Sequence, residues 1–324
     1  MRHWSREDLR GLGAFFIVGA PRCGTTTLAS MLKGHPAVCF AVPKEPHYFS
    51  RLPATWSPER VLADYLPAYF RHWDGATPVL GEGSPSYLYS DRAIGAIDAC
   101  FPETRFIVMA RDPLELVASH HKRMLYTLDE DEPDLAKAWA LQEQRRRGER
   151  VPRRCRDPRL LDYKGAGRVG ARCEMLLRRV GRERVRFILL EDLRADPLGT
   201  YRGTLAFLSL EDDGRTALPR RNESRAVRSV PLHLLLSQPR SEVVRVALAR
   251  LRRSRRFRPA AGLLKRLRRA NREASAPPPL TPEMRETLSR AFAEDVLILS
   301  RVLERDLSHW LAAKPQVEMP RPLP

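Results

Sequence analysis

Cysteine is scarce in this chain, and no two cysteines stand at CxxC spacing. The five are Cys23, Cys39, Cys100, Cys155 and Cys173. An odd number without paired spacing argues against a zinc site and a disulfide framework, and it favours a reducing compartment. The first twenty residues lack the apolar length of a secretory leader, and no apolar run is long enough to span a bilayer. The sequence therefore predicts a cytoplasmic protein.

Acidic residues are also few: 39 Asp and Glu stand against 57 Lys and Arg, which gives a formal net charge of +18. The segment 240–272 has thirteen basic residues and one acid, Glu242. This balance predicts an anionic partner and carries no information about the fold. Only one aromatic residue, Phe257, lies in the segment, so base stacking with nucleic acid is not expected. The segment instead predicts attraction of an anionic cofactor, an anionic acceptor or an anionic membrane surface.

Short apolar runs alternate with helical patterns along the first two thirds of the chain. The runs predicted as strands are FFIVG (15–19), PVLGEG (78–83), RFIVMAR (105–111) and VRFILLE (185–191). The segments with apolar residues at helical spacing are 25–33, 92–100, 114–125 and 168–180. Apolar strands separated by helices are typical of a parallel sheet that is buried on both faces. The sequence predicts an α/β fold in three layers, with a central parallel sheet flanked by helices.

The rest of the chain predicts a helical C-terminal extension. Residues 129–160 are polar and rich in arginine, and they predict a helix followed by a mobile loop. Thr281 and Pro282 match the N-cap and the first position of a closing helix that extends to Leu311. We expect a single domain with three parts. These are an α/β core (1–230), a basic helical insertion (231–275), and a closing helix and tail that pack on the core (276–324).

The segment FFIVGAPRCGTTTL (15–28) has the form of a phosphate-binding loop. A strand that ends at Gly19 and a helix that begins near Gly24 place backbone N–H groups and a helix dipole around an anion. Arg22 adds a permanent charge. The glycine spacing matches the triphosphate signature GxxxxGK[ST], but Thr25 stands where that signature has lysine. The loop therefore predicts an anion other than a γ-phosphate, although glycine-rich turns without a ligand share this spacing.

A second anion site is predicted after another apolar strand. In RFIVMARDPLELVASHHKRM, Arg111 ends the strand and Ser119 follows eight residues later, about two helical turns along. Taken alone, this pattern fits an Arg–Asp turn and an amphipathic helix equally well. Ligands of parallel sheets bind at the carboxyl ends of the strands, so the two predicted sites would face one edge.

The loop GAPRCGTTTL resembles the 5′-phosphosulfate loop of sulfotransferases that use 3′-phosphoadenosine 5′-phosphosulfate (PAPS) and release 3′,5′-diphosphoadenosine (PAP). The similarity is to the bacterial and heparan-sulfotransferase-like branch, and it covers about residues 14–230 and the final helix. It implies a P-loop-like fold, PAPS as the donor, and no required metal. For the cofactor it implies the residues Arg22, Cys23, Gly24, Thr25, Thr26, Thr27, Arg111, Ser119, Arg225 and Arg228.

The segment VPKEPHYFS (42–50) resembles the part of the family that carries the general base, two residues before a His-aromatic-Phe triplet. The resemblance implies Glu45 as the base, with His47 beside it and Arg22 acting on the bridging oxygen. In an extended segment residues 45 and 47 point to the same side. Lys44 would then point away from the cleft or line its mouth.

The segment GEGSPSYLYS (81–90) resembles a strand end that lines the acceptor cleft of the family. It implies Ser84 and Tyr87 as acceptor-binding residues, together with Lys44. Gly83 stands where heparan-modifying members have a lysine, so one anchoring charge for a polysaccharide is missing. The expected acceptor is a hydroxyl group of a small molecule, a glycan or a lipid.

Two other functions stay open from the sequence. A P-loop kinase needs a lysine after Gly24 and a magnesium carboxylate at a strand end, for which Glu82 and Asp112 are candidates. A binder of nucleic acid or membrane surfaces would rest on the basic segment 240–272. Sulfuryl transfer accounts for both anion sites with one nucleotide, and we favour it for that reason.

Overall fold

The computed structural model describes residues 12–73, 75, 77–218 and 278–312, the isolated positions 266 and 270, and the backbone of two short strands, Arg225–Val227 and Arg272–Ala274. These residues fall into two compact units. The first unit takes its residues from the ranges 1–120, 162–222 and 280–324. The second takes its residues from 121–161 and 223–279.

The first unit is built on a five-stranded parallel sheet with the strand order β2-β3-β1-β4-β5. The strands are β1 (Gly13–Gly19), β2 (Val38–Phe40), β3 (Val79–Glu82), β4 (Arg105–Ala110) and β5 (Val185–Leu189). The four predicted strands are confirmed. The edge strand β2 was not predicted, because three apolar residues after a proline give no periodic signal. The central strand β1 is buried from Ala14 to Gly19, as a strand covered on both faces should be.

Helices flank the sheet and connect its strands, so the predicted α/β class is confirmed. In the first unit the helices are α1 (Thr25–Leu32), α2 (Pro58–Tyr69), α3 (Asp91–Cys100) and α4 (Pro113–Thr127), the last of which runs into the second unit. The second unit contributes α5 (Leu135–Ala140) and α6 (Gln142–Arg146). The first unit continues with α7 (Tyr163–Gly167), α8 (Val169–Val180), α9 (Leu190–Ala195), α10 (Pro197–Phe207) and α11 (Pro282–Leu303). Single turns of 3-10 helix occur at Phe49–Arg51, Tyr87–Tyr89, Pro158–Leu161, Arg182–Arg184 and Ser308–Trp310.

An aromatic cluster fills the core beside β1 and β3. The ring of Phe16 on β1 lies 5.8 Å from that of Phe49 and 5.6 Å from that of Phe101. Phe49 in turn contacts Tyr65 of α2 at 4.9 Å and Tyr87 at 5.7 Å, both edge to face. Edge-to-face pairs at these distances each add about 0.5–1.5 kcal/mol beyond the apolar area that they bury. The cluster therefore fixes the segment after β2 against the end of β3.

The closing helix α11 starts where the sequence predicts and ends earlier. Thr281 Oγ1 accepts a hydrogen bond from the N–H of Met284 at 3.2 Å, as an N-cap does. The helix ends at Leu303, because Glu304 adopts a left-handed conformation (φ 53°). The predicted extension to Leu311 is therefore wrong, and a 3-10 turn takes its place.

One carboxylate of α11 anchors this helix to α8. Asp295 Oδ2 accepts from the N–H of Gly170 at 2.7 Å, and Oδ1 accepts from that of Ala171 at 2.9 Å. A Cβ atom on Gly170 would lie 2.2 Å from the backbone oxygen of Asp295, so only glycine lets the two helices come this close. Asp295 thus satisfies first-turn amides of α8 that have no acceptor within their own helix.

The second unit contains the arginine-rich segment 129–160. Residues 129–160, expected to be a helix followed by a mobile loop, contain the short helices α5 and α6 and the turn Pro158–Leu161. A bidentate ion pair between buried Arg145 and Glu130, with both contacts at 2.6 Å, ties α6 to the segment before α5. Mobility of the loop stays a prediction.

The basic insertion predicted at 231–275 is described only in part. The strand β6 (Arg225–Val227) pairs antiparallel with β7 (Arg272–Ala274). The end of the predicted helical insertion is therefore a strand, and most of the basic segment 240–272 lies outside the described residues. Within the described part of the chain, no helix combines the length and apolar character that crossing a bilayer requires.

Candidate active site

The predicted site segments lie at the carboxyl edge of the sheet, where parallel strands place their loops together. The loop 20–24 follows β1, the segment 42–50 follows β2, and Glu82 is the last residue of β3. Arg111 directly follows β4. Because β1 lies between β3 and β4, the loop after β1 has one set of residues on its β3 side and another on its β4 side.

The loop after β1 turns through two residues with left-handed backbone conformations. Gly24 is the N-cap of α1 at φ 90°, and Arg22 has φ 68°. A Cβ atom on Gly24 would lie 2.8 Å from Leu190 Cδ1, so glycine is required for conformation and for space. The N–H groups of Thr27 and Leu28 bond the Gly24 carbonyl. The amides that precede them lie at the helix N-terminus, where free N–H groups and the helix dipole favour an anion.

The side chains of this loop differ in how far they are exposed to solvent. Thr26 is exposed, Thr27 is half-buried, and Thr25 is buried at 4% exposure. Cys23 is fully buried, and burial raises the pKa of its thiol to about 12. A thiol with this pKa is protonated at neutral pH and is neither a nucleophile nor a metal ligand. Cys23 can therefore contribute to an anion site only through its backbone.

The two predicted anion sites are joined by direct hydrogen bonds. Arg22 Nε donates to Ser119 Oγ at 3.0 Å, and Arg111 Nη1 donates to the backbone oxygen of Arg22 at 3.2 Å. Residues 97 positions apart in the sequence thus form one polar unit. We call Arg22, Arg111 and Ser119 the β4 flank.

Arg111 is held firmly within the β4 flank. Its Nη2 forms an ion pair with Glu115 one helical turn along, and only 12% of its side chain is exposed. Its Nε is buried and has no hydrogen-bond partner among the described residues. A buried donor without an acceptor costs roughly 1–3 kcal/mol, which an anion bound there would recover.

The Glu45 side chain lies between a cation and an imidazole on the other side of the loop. Lys44 Nζ is 2.5 Å from Glu45 Oε1, and His47 Nε2 is 3.8 Å from Glu45 Oε2. Of the two placements expected for Lys44, away from the cleft or at its mouth, the first does not fit an ammonium group that contacts Glu45, and the second stays a prediction. The segment is not a regular extended strand, because His47 has a left-handed backbone (φ 52°). We call Lys44, Glu45, His47 and Glu82 the β3 flank.

His47 is positioned by two serines that the sequence places after β3. Its N–H donates to Ser84 Oγ at 3.0 Å, and its Nδ1 is 2.7 Å from Ser86 Oγ. Burial lowers the pKa of His47, and the Glu45 charge opposes that shift. A hydrogen-bonded, neutral imidazole is suited to fixing the geometry beside Glu45.

Glu82 is a buried carboxyl group that the sequence reasoning considered only as a magnesium ligand. It has no exposed surface, and its Oε2 accepts hydrogen bonds from Tyr65 at 2.7 Å and Tyr87 at 2.9 Å. Burial raises the pKa of Glu82 to about 7, although the tyrosine hydroxyls and Lys44 favour its ionised form. The only sequence signal was its place between two glycines at a strand end.

The structure brings most of the predicted site residues to this edge, but not all of them are exposed there. Ser84 and Tyr87 have no exposed surface, and they form hydrogen bonds with His47 and Glu82. Arg225 is described only as part of the β6 backbone in the second unit, and Arg228 lies outside the described residues. In the described part of the chain, no cluster of three His, Cys, Asp or Glu side chains could hold a metal ion.

The curated proteins to which this chain is similar are sulfotransferases. The chain is 34% identical to human heparan sulfate glucosamine 3-O-sulfotransferase 3A1, in an alignment that covers 37% of this chain and 27% of that protein. It is 30% identical to human carbohydrate sulfotransferase 15, with 37% of this chain and 28% of that protein covered. The chain thus spans less than a third of the length of these relatives. No family model matches the chain.

Comparison with solved structures gives the same class of fold. The crystal structure of a sulfotransferase from Alicyclobacillus acidocaldarius superposes with a TM-score of 0.61 and 24% identity. The superposition covers 91% of this chain and 97% of the other. The fold predicted from the alternating strands and helices is therefore confirmed, and so is the resemblance to sulfotransferases indicated by the loop motif.

Proposed function

We propose that this protein is a sulfotransferase that moves a sulfuryl group from PAPS to a hydroxyl acceptor. The observation that carries the proposal is the hydrogen-bonded unit formed by Arg22, Ser119 and Arg111. A nucleotide with anions at its 5′ and 3′ positions needs two linked cationic sites, and the β4 flank supplies them at one edge of the sheet. A single γ-phosphate site would need only one of them.

The residues present fit the donor at both ends. Arg22, the backbone from Cys23 to Thr27 and the threonine hydroxyls would hold the 5′-phosphosulfate. Arg111 and Ser119 would hold the 3′-phosphate, and the unpaired Nε of Arg111 is a donor ready for it. PAPS supplies the activated sulfuryl group. Arg225 and Arg228 stay proposed contributors to the 3′-phosphate site.

Glu45 is the proposed general base. Its side chain is 41% exposed, so an acceptor hydroxyl can reach it, and His47 and Lys44 limit its conformations. It would take the hydroxyl proton as the acceptor oxygen attacks. Arg22 would stabilise the charge that develops on the leaving phosphate oxygen, the type of electrostatic contribution that is worth most in a site closed to water.

A glycan hydroxyl is the acceptor class to test first. The relatives are named for heparan sulfate glucosamine and for carbohydrate, and the alignments cover only part of each relative. Ser84 and Tyr87 would position the acceptor indirectly, through His47 and Glu82, since neither has exposed surface. Alcohols of lipids or small molecules belong in the same screen.

The proposal is tested by measuring nucleotide binding and sulfuryl transfer on the same protein. Calorimetry should show that PAP binds at least tenfold more tightly than adenosine 5′-phosphate, because only PAP has the 3′-phosphate. With ³⁵S-labelled PAPS, label should appear on at least one acceptor of a panel of heparan oligosaccharides, chondroitin oligosaccharides and lipid or small alcohols, with EDTA present. ATP with Mg²⁺ is the control for the kinase alternative. Tight ATP binding without PAP binding would overturn the proposal.

A further inference from the structure

Gly83 lies beside Lys44 at the end of β3. It follows the last residue of β3 and has no side chain of its own. A Cβ atom built on it would lie 3.5 Å from Lys44 Cε, 3.6 Å from Phe40 Cζ and 3.7 Å from Ile17 Cβ. These are ordinary van der Waals distances. The end of the Lys44 alkyl stem therefore lies directly beside the place where a side chain of residue 83 would begin.

Two polar contacts hold the Lys44 ammonium group at the end of β3. Its Nζ is 3.4 Å from the backbone oxygen of Gly83 and 2.5 Å from Glu45 Oε1, and 24% of the side chain is exposed. A lysine that is three-quarters buried and paired in this way holds its charge in a defined place. Gly83 follows Glu82, whose register partner is Phe16 of the central strand. Lys44 thus lies on the β3 side of the loop after β1, and Arg22 is bonded on the β4 side.

We propose that Lys44 is a catalytic cation of this site, supplied by the loop after β2 in place of a side chain at position 83. The inference rests on the proposed sulfuryl transfer and deepens it. Arg22 and Lys44 then approach the transferring group from opposite sides. A flexible ammonium group on one side complements the planar guanidinium on the other.

During the reaction Lys44 interacts with two groups in succession, first Glu45 and then the transferring sulfuryl group. The acceptor oxygen forms a bond to sulfur, the bond from sulfur to the 5′-phosphate oxygen breaks, and PAP leaves with that electron pair. The acceptor proton goes to Glu45. Once protonated, Glu45 no longer attracts Lys44, while negative charge grows on the sulfuryl and leaving oxygens. Lys44 shifts its interaction from the base to the transferring group as the base becomes neutral.

Moving the positive charge from position 44 to position 83 tests this role. Lys44→Ala should lower turnover about 100- to 1,000-fold, a loss within the range found when a group that stabilises transition-state charge is removed. PAP affinity should stay within twofold, because PAP lacks the sulfuryl group. The double variant Lys44→Ala/Gly83→Lys should have at least tenfold higher turnover than Lys44→Ala, since the new lysine starts next to the space that Lys44 vacates. Lys33→Ala, an exposed lysine at the end of α1, is the matched control and should leave turnover unchanged.

A second measurement does not depend on the acceptor. Inorganic sulfate added to the PAP complex stands in for the transferring group. The wild type should bind it at least tenfold more tightly than Lys44→Ala, and the double variant should regain binding. Turnover of Lys44→Ala within threefold of wild type would overturn the inference, as would a double variant that binds PAP and recovers nothing. A wild type that neither binds PAP nor transfers label contradicts the proposed function itself.

Discussion

The two flanks of the central strand use charge in different ways. On the β4 flank, a serine hydroxyl, a backbone oxygen and the Glu115 carboxylate hold the Arg22 and Arg111 guanidinium groups. On the β3 flank, opposite charges and titratable groups alternate, as Lys44 and His47 enclose Glu45. Permanent cations on fixed supports suit a ligand that keeps its charge throughout a reaction. Groups that exchange protons suit the side on which a hydroxyl group loses one.

Burial acts in opposite directions on the acid and the base of the β3 flank. It raises the pKa of Glu82 to about 7 and lowers the pKa of His47, because it disfavours the charged form of each. Both groups therefore tend toward neutrality beside Glu45, which is 41% exposed. This contrast between the flanks leads to four predictions, taken from the largest expected effect to the smallest.

Glu45→Gln should lower turnover by about 10²- to 10⁴-fold, the usual contribution of a positioned general base. PAP affinity should not change, because the proposed nucleotide contacts do not include Glu45. Turnover and PAP calorimetry on the same preparation check both parts. Glu103→Gln, an exposed acid remote from the site in sequence, is the control. If the variant turns over like wild type, Glu45 has no part in the chemistry and the division between the flanks fails.

Glu82→Gln should change how stability depends on pH. Between the ordinary pKa of 4.5 and the folded-state pKa of about 7, the folded protein keeps a proton that the unfolded chain releases. This group therefore lowers the free energy of unfolding as pH rises through that window, by up to about 3 kcal/mol in total. Glutamine does not titrate, so the free energy of unfolding of the variant should rise relative to that of wild type between pH 4.5 and 7.

Urea unfolding of wild type and Glu82→Gln at several pH values measures this difference. Tyr65→Phe is the companion variant, because it removes a hydrogen bond that favours the ionised Glu82 and should extend the decline to higher pH. A difference between wild type and Glu82→Gln that stays constant from pH 4.5 to 8 would show that Glu82 is ionised throughout.

Arg111→Ala should weaken PAP binding by about 10- to 100-fold, the value expected for hydrogen bonds to a charged partner. The affinity for adenosine 5′-phosphate, which lacks the 3′-phosphate, should fall much less. Calorimetry with both nucleotides separates the two effects. Arg178→Ala, which removes an exposed arginine paired with Glu174 on α8, is the control. Equal losses for both nucleotides would place Arg111 outside the 3′-phosphate site.

Ser119→Ala should have the smallest effect, about two- to tenfold on PAP affinity, because one neutral hydroxyl is lost from Arg22. Since Ser119 links the two anion sites, turnover should fall by a similar factor. Ser119→Thr keeps the hydroxyl group and should restore both values. Loss of PAP affinity with unchanged turnover would mean that Ser119 contacts the nucleotide without orienting Arg22.

The parts of the fold that could be predicted have strong local signals. Long apolar runs gave four strands, and Thr281 with Pro282 gave the start of α11. Helix α2 was not predicted, because Pro67 lies inside it and interrupts the pattern. The end of α11 was misplaced, since periodicity continues past Glu304 and only the backbone turns there.

The site was predictable where a motif is contiguous and unpredictable where distant residues meet. The loop from Arg22 to Thr27 reads directly from the sequence, and Arg111 with Ser119 has a recognisable spacing. Glu82 gave only a weak signal, its place between two glycines at a strand end, because its partners Tyr65 and Tyr87 lie in separate elements. The position of Lys44 is fixed by its contacts with Glu45 and with the backbone oxygen of Gly83, and no pattern within one segment reports the second contact.

The order of apolar runs, glycines and hydroxyl residues along the chain was enough to determine a parallel α/β sheet with a candidate anion-binding loop after its first strand, because those features act between neighbours in sequence. Tertiary structure alone decided which charges face each other across that loop. Burial, close packing and strand order set the ionisation of Glu82, the position of Lys44 and the bond between Arg22 and Ser119, and each of these depends on residues brought together from different strands.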